Sequence, residues 1–544
     1  MNATKMHDGQ GGPPGRVQRG AKFEPLDAFA VVGLLVAAFV ARRNVLPHDG
    51  LFGDDAWQAF GAAKGSPGNF ITVGFSAPGF TGALMIWHRL VGAPERMAYL
   101  AFAGGVVTPA VLYVALRRFG YVWSISLLLG AALVSENLNV VYSGRVKSYV
   151  IDALIVLGFA ALLPRLVRVR FGWRAAALWV FGSFVVGFFS PFAFVAAGVA
   201  GMIMLLRPAG DRAMRAVAVV GQGALYIALT LAVRRTYDVR SLQVWWKRNY
   251  DAFVGFDVQP LGFVSHVVTH MRRVAAVFSG GPAWWATLIL IAALIALAVD
   301  AVVRRRSARA LRAQYLLLLM LMAVAASVVS VLPLGPTSDG MRLSLWLVPI
   351  FAIGVASALE RLRVALTNRV ATRIAFDAAA VVASALLVVS ASNGGPDYPL
   401  TGSRTAAQFM ERALVTNDAV FIEHTGSMYP YAIASHLHLI VWPQHRRIAF
   451  RPEFRDRRFH YIGFTGNLGD TLLLTSISDA DHRTDIARAI ERADRVFLYV
   501  EAISHIPRRG RLALATTLDQ LGFKQGNDTK FGDAHVIVWR RTPP

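Results

Sequence analysis

The sequence predicts an α-helical polytopic membrane protein of about eleven spans, with a soluble α/β domain at its C-terminal end. Three observations predict it. The 544 residues are 55% hydrophobic and 16% charged, with a mean hydropathy of +0.47, too apolar for a soluble chain of this length. Apolar runs of membrane-spanning character recur, joined by short segments rich in arginine. After residue 392 these runs give way to short β-branched and aromatic stretches that alternate with amphipathic ones.

Residues 1–22 are rich in Gly, Pro and polar groups and read as a disordered cytosolic tail. The run Leu26 to Ala41 is short enough to be a signal-peptide core, but Arg42 and Arg43 at its edge fit a cleavage site poorly, so it is read as a span. Further runs cover Met97 to Leu116, Val122 to Val134, Tyr149 to Leu163, Ala175 to Phe189 and Phe192 to Leu206. Val217 to Val233, Trp284 to Val299, Tyr315 to Leu332, Leu343 to Leu359 and Ile374 to Val389 complete the set. Residues 23–392 thus form the membrane domain.

The linkers Arg117-Arg118, Arg165 to Arg174, Arg207 to Arg215, Arg304 to Arg312 and Arg361 to Arg373 all fall on the side of the N-terminal tail. The positive-inside rule makes that side cytoplasmic, and the Ala- and Arg-rich composition suggests a GC-rich bacterium and so a bacterial inner membrane. The formal charge of +23 is therefore topological, and nucleic-acid binding is the weaker reading. Absence of cysteine excludes disulfides, cysteine-ligated metals and thiol nucleophiles.

The same count puts the long, varied loops and residues 393–544 outside. In the latter, Ala419 to Ile422, Leu439 to Trp442, Arg495 to Val500 and His535 to Trp539 read as strands. Asp485 to Ala493 and Leu512 to Leu521 read as amphipathic helices.

The first outer loop carries an acidic pair, Asp54-Asp55, followed by Ala56 and Trp57. Adjacent carboxylates at a membrane surface repel each other and lose hydration, so they pair with cations, bind a metal or act as a base. Asp54 can equally serve as the N-cap of a helix 56–63. The second outer loop supplies cations, Arg145 and Lys147, beside Tyr142 and Tyr149, with Asp152 one turn into the next span. Such residues can simply anchor a helix end. However, these cations lie against the charge bias, and Asp152 is an intramembrane carboxylate that needs a partner.

The loop Arg234 to Pro282 interleaves Arg240, Trp245, Trp246, Lys247, Arg248 and Tyr250, which suits an interfacial helix. His266 and His270 have i, i+4 spacing but no third ligand nearby, so no metal site is read there. The two outward aspartates can still bind a divalent cation. Arg342, in an outer turn with Asp339, is an anchor or a phosphate ligand, the ligand being favoured by its isolation.

In order and placement, these residues resemble the GT-C superfamily of integral-membrane glycosyltransferases, particularly the bacterial family 39-like and lipopolysaccharide-core-type enzymes, and more distantly the actinobacterial arabinofuranosyltransferases. The likeness covers about the first 390 residues. It rests on Asp54-Asp55-Ala-Trp57, on Pro78-Gly79-Phe80, on Tyr142, Lys147, Tyr149 and Asp152, and on Arg342 with Pro349. Many family 39-like members have Glu where Asp55 stands.

The resemblance implies transfer of a sugar from a polyprenyl-phosphate donor to a glycan, lipid or protein acceptor outside the membrane, without a nucleotide. Asp54 or Asp55 would be the base, with Asp54 preferred. Arg145, Lys147, Tyr149 and Arg342 would hold the donor phosphate, and Trp57, Tyr142 and Asp152 would support the site. Two other classes share parts of this pattern. A flippase for lipid-linked saccharide needs spans and an outer cationic pocket, but not the poised acidic pair. An envelope assembly protein would tolerate replacement of both aspartates.

Overall fold

The computed structural model describes residues 24–64, 77–207, 210–236, 243, 247, 253, 260–279, 283–303, 307–329, 332–334, 340–366, 370–393, 398–399, 401–435, 439–444, 449–454, 456, 458–462, 482–501 and 509–543. The tail 1–22, Asp339, Arg240, Trp245, Trp246, Arg248 and Tyr250 lie outside the described residues, as do the side chains of Arg342, His266 and His270.

Each of the eleven apolar runs falls mainly on a helix. They correspond to α1 (Pro25–Arg42), α4 (Tyr99–Arg118), α5 (Trp123–Ser135), α7 (Tyr149–Arg168), α8 (Trp173–Phe189), α9 (Pro191–Leu206), α10 (Arg212–Thr236), α12 (Ala283–Val303), α13 (Ala308–Val328), α14 (Val348–Leu366) and α15 (Val370–Asn393). Among the described residues eight helices are long and apolar enough to cross a membrane, or nine if a bent pair counts as one span, and α8 and α9 are shorter apolar helices. The bent pair is α5 with α6 (Asn137–Ser143), which meet at 59°. The break falls at Glu136, whose carboxylate caps α6 by accepting from the N–H groups of Leu138 and Asn139 at 2.9 and 2.6 Å. The chain is a multi-pass membrane protein: Phe29 (76% exposed) and Leu178 (72%) present large apolar side chains outward, which suits lipid and not water.

Helix α1 starts with Pro25 at its first position and a reciprocal cap between Glu24 and Asp27. Its other end is held by Arg42, fully buried. Arg42 donates to Ser143 Oγ, Asn139 Oδ1 and the carbonyls of Leu133, Val134 and Ala38 at 3.1–3.3 Å. A residue that reads in sequence as the edge of a span is thus a staple between α1 and the bent pair. The buried guanidinium is tolerated because it meets a ring of acceptors.

Between the first two long spans, three shorter helices lie at the site: α2 (Gly53–Lys64), α3 (Pro78–Val91) and a 3₁₀ turn Pro94–Ala98. Amphipathic α11 (Pro260–Ser279) lies within the segment Arg234 to Pro282. The C-terminal part begins with α16 (Ser403–Ala413) and builds a five-stranded sheet ordered β4-β1-β5-β7-β6. Its strands are β1 (Asp418–Glu423), β4 (Phe459–Ile462), β5 (Arg495–Glu501), β6 (Phe523–Phe531) and β7 (Ala534–Arg541), and the pair β2 (Leu439–Gln444) and β3 (Ala449–Phe454) stands apart. Strands β4, β1 and β5 run parallel, whereas β7 and β6 are antiparallel. Helices α17 (His424–Ala434), α18 (His482–Ile490) and α19 (Arg509–Gln520) complete it.

Every strand read from the sequence is present. Strands β3, β4 and β6 were not read. β6 is largely exposed and β3 carries Arg, Pro and Glu, so neither shows the apolar run by which a strand is recognised.

Candidate active site

Helix α2 begins at Gly53, so Asp54 and Asp55 stand in its first turn and neither is its N-cap. Carboxylates there are favoured by the positive end of the helix dipole. The turn parts the two residues. Asp54 is half-buried, and Asp55 is fully buried.

Three groups surround the Asp55 carboxylate. Oδ1 accepts from the Val146 N–H at 3.1 Å. Oδ2 accepts from the Tyr398 hydroxyl at 2.8 Å and lies 3.2 Å from Arg145 Nε. Arg145 lies over the Phe52 ring, 4.3 Å from its centroid, and 5.5 Å from that of Tyr398. Burial opposes the Arg145 charge, but Asp55 and the neighbouring Tyr398, Tyr142 and Asp54 outweigh it and hold the guanidinium above its ordinary pKa. Burial, then the Asp55 charge, pushes the Tyr398 phenol well up. The phenol therefore stays protonated and donates. The hydroxyl also accepts from the Phe52 N–H at 2.9 Å, and the Tyr398 backbone N–H donates to the Asn44 carbonyl at 3.0 Å.

The loop carrying Arg145 is set by close backbone approach. Gly144 backs onto Val45, where a Cβ would fall 1.8 Å from the carbonyl oxygen. Arg42 holds Ser143, the residue before it, at 3.1 Å. The next positions follow: the Lys147 N–H donates to the Arg145 carbonyl at 2.8 Å, and Lys147 is half-buried. Tyr142 and Tyr149 pack edge to face with centroids 5.5 Å apart. One turn into α7, Asp152 is buried and bonded to the Ser190 side chain, and Asp152 Oδ1 has no partner among the described residues.

Ser190 also caps α9 at 3.4 Å from the Ala193 N–H, so its bond to Asp152 ties the start of α7 to the α8–α9 hairpin. Gly79 does the same for the first loop: its Cβ would fall 2.8 Å from the Phe188 ring, so only glycine lets α3 meet the end of α8.

The C-terminal part closes this group from above. The Trp57 ring centroid lies 6.2 Å from that of Tyr429 on α17, and Phe60 5.5 Å. Asp49 accepts from the Thr405 N–H and hydroxyl at the start of α16 at 3.2 and 2.9 Å, and Arg404 Nε donates to Glu95 at 2.9 Å. Sequence reasoning brought Asp54, Asp55, Trp57, Tyr142, Arg145, Lys147, Tyr149 and Asp152 to one face, and the structure gathers them around α2 and the start of α7. Arg342 belongs to the 3₁₀ helix Gly340–Leu347 just before α14. Sequence reasoning missed Tyr398, Tyr429 and Arg42. Only the Asp-Tyr-Pro stretch 397–399, an aromatic directly after the last span, offered a signal for the first.

No group of three or more His, Asp or Glu that could hold a metal occurs among the described residues. No family model matches the sequence, and no curated protein matches it. Solved structures do. ArnT from Cupriavidus metallidurans bound to undecaprenyl phosphate aligns over 95% of this chain and 98% of its own, with TM-score 0.56 and 14% identity. Its apo state aligns over 94% and 97%, with TM-score 0.53 and 12% identity. The arabinofuranosyltransferase AftD from Mycobacteria aligns over 96% of this chain and 42% of its own, with TM-score 0.51 and 14% identity.

The chain has the GT-C fold. Helix α2 and the loop before α7 bring the acidic pair and Arg145 together, and Tyr398, from the segment after α15, packs onto Asp55.

Proposed function

We propose that this protein is a membrane glycosyltransferase that moves a sugar from a polyprenyl-phosphate donor to an acceptor hydroxyl outside the membrane, with inversion. The observation that carries the reading is the division of labour within the acidic pair. Asp55 is fully buried against Arg145, Tyr398 and the Val146 N–H, whereas Asp54 is half-buried, so Asp54 is the carboxylate with surface open to an acceptor hydroxyl. Undecaprenyl phosphate in a structure of the same fold supports the class of donor.

In this reading Asp54 takes the acceptor proton as the hydroxyl oxygen bonds to the anomeric carbon. The bond from that carbon to the phosphate oxygen breaks, and the lipid phosphate leaves with the electron pair. Arg145 has donors beyond the Nε that faces Asp55, and with Lys147 and Arg342 it would stabilise the charge growing on the leaving phosphate. Tyr149 would border the same phosphate. Trp57, Tyr142 and Asp152 hold the loops in register, and membrane lipid bounds the donor's path.

The test is release of polyprenyl phosphate from a panel of synthetic polyprenyl-phosphate sugars by the detergent-purified protein, beside Asp54→Asn. Release by the wild type that falls by orders of magnitude in a variant of equal stability supports the assignment. Binding of donor without release, unchanged by the substitution, would overturn it in favour of a lipid-saccharide carrier.

A further inference from the structure

Helix α7 runs from Tyr149, next to the candidate site, to Arg168, so its 20 residues place Arg165 and Arg168 about 30 Å away at the opposite end of the bundle. A narrow cleft opens there, lined by Phe119, Tyr121, Leu297, Asp300, Arg309 and Arg312 among others. Its charges do not balance. Asp300 is engaged by Arg309 Nε at 2.9 Å and by Arg361 at 2.6 Å, and it accepts from Ser357. Glu360 acts on Arg363 and Arg309.

Arg312 is left over. Its guanidinium lies over the Phe119 ring at 3.9 Å, and its buried Nε has no hydrogen-bond partner among the described residues. Apart from the phenol of Tyr121, the groups acting most strongly on it are the cations Arg168, Arg165 and Arg309.

We propose that the cations at the mouth of this cleft bind the phosphate of an anionic phospholipid, with Arg312 as its central ligand and Arg165 and Arg168 at the rim. A guanidinium stacked on a ring and facing three like charges is the group a phosphate would stabilise most, through charge-assisted bonds. Basic pockets between spans on the arginine-rich side suit lipid headgroups of the anionic cytoplasmic leaflet. The surroundings favour a lipid over free phosphate. Leu162, one turn before Arg165, and Val303, at the end of α12, are exposed apolar side chains at the same end, where acyl chains can lie.

The experiment is thermal unfolding and native mass spectrometry of the full chain, delipidated in an uncharged detergent. Phosphatidylglycerol, phosphatidylcholine or inorganic phosphate is then added. Phosphatidylglycerol is expected to raise the melting temperature and to remain bound, phosphatidylcholine to do neither, and phosphate to give only a small part of the shift. Arg312→Gln, and separately Arg165→Gln with Arg168→Gln, should each weaken phosphatidylglycerol binding about tenfold. Arg165 and Arg168 are exposed, so the double variant decides the matter if Arg312→Gln does not fold. Equal effects of the two lipids, full retention of binding in the double variant, or a phosphate effect as large as that of phosphatidylglycerol would each overturn the proposal.

Discussion

The Tyr398 hydroxyl donates to Asp55 Oδ2 at 2.8 Å across 343 residues of chain. The segment that leaves the last apolar helix thus returns to the stretch between α1 and α3 and covers its buried carboxylate. The α/β part is tied by this bond to the loop that carries the candidate base.

Tyr398→Phe removes that bond but leaves Asp55 with Arg145 and the Val146 N–H. A loss of about 1–2 kcal/mol is expected. Asp55→Ala strands the buried Arg145 charge and should cost more, about 3–5 kcal/mol. Chemical denaturation of the purified protein ranks the two, and equal losses would show that the ion pair does not hold the loops.

The two aspartates should separate by assay. Asp54→Asn is expected to lower turnover by about 10²–10⁴-fold, the range for a lost general base, with a smaller loss of stability than Asp55→Asn. Asp55→Asn should lower turnover and melting temperature together. An Asp55→Asn protein as stable as the wild type would contradict the supporting role given to Asp55.

Gly144 and Gly158 offer a matched pair. Alanine at 144 would press its Cβ to 1.8 Å from the Val45 carbonyl oxygen, whereas at 158 nothing stands within 4 Å. Gly144→Ala should displace the Arg145 loop and abolish donor turnover. Gly158→Ala, inside α7, should be neutral or stabilise by up to about 1 kcal/mol. Turnover and melting temperature of the two variants check both statements.

Glu501 sets a pH dependence in the C-terminal part. Its carboxylate is buried and without a hydrogen-bond partner among the described residues. Burial first, then the charge of Asp533, pushes its pKa well up. The folded state therefore binds a proton that the unfolded state has released once the pH exceeds the ordinary glutamate value of about 4.3. Stability from this group is complete below that value and is lost as pH rises through the folded pKa. Glu501→Gln should raise the melting temperature at pH 8 and flatten the profile between pH 5 and 8. An unchanged profile would show that Glu501 is ionised in the fold.

The sequence by itself determined the apolar helices and most of the sheet strands. These are properties of composition and period, and a helix or strand declares its apolar surface within its own residues. The tertiary structure decided which aspartate is enclosed and what encloses it. Asp54 and Asp55 are chemically alike and adjacent, and their difference arises from a helical turn that points one at Arg145 and Tyr398, 90 and 343 positions away in the chain. Arg42 shows the same limit. Its charge at the end of an apolar run has one meaning in sequence, whereas the acceptors that bury it come from α5 and α6, and long-range partners leave no local pattern from which to read them.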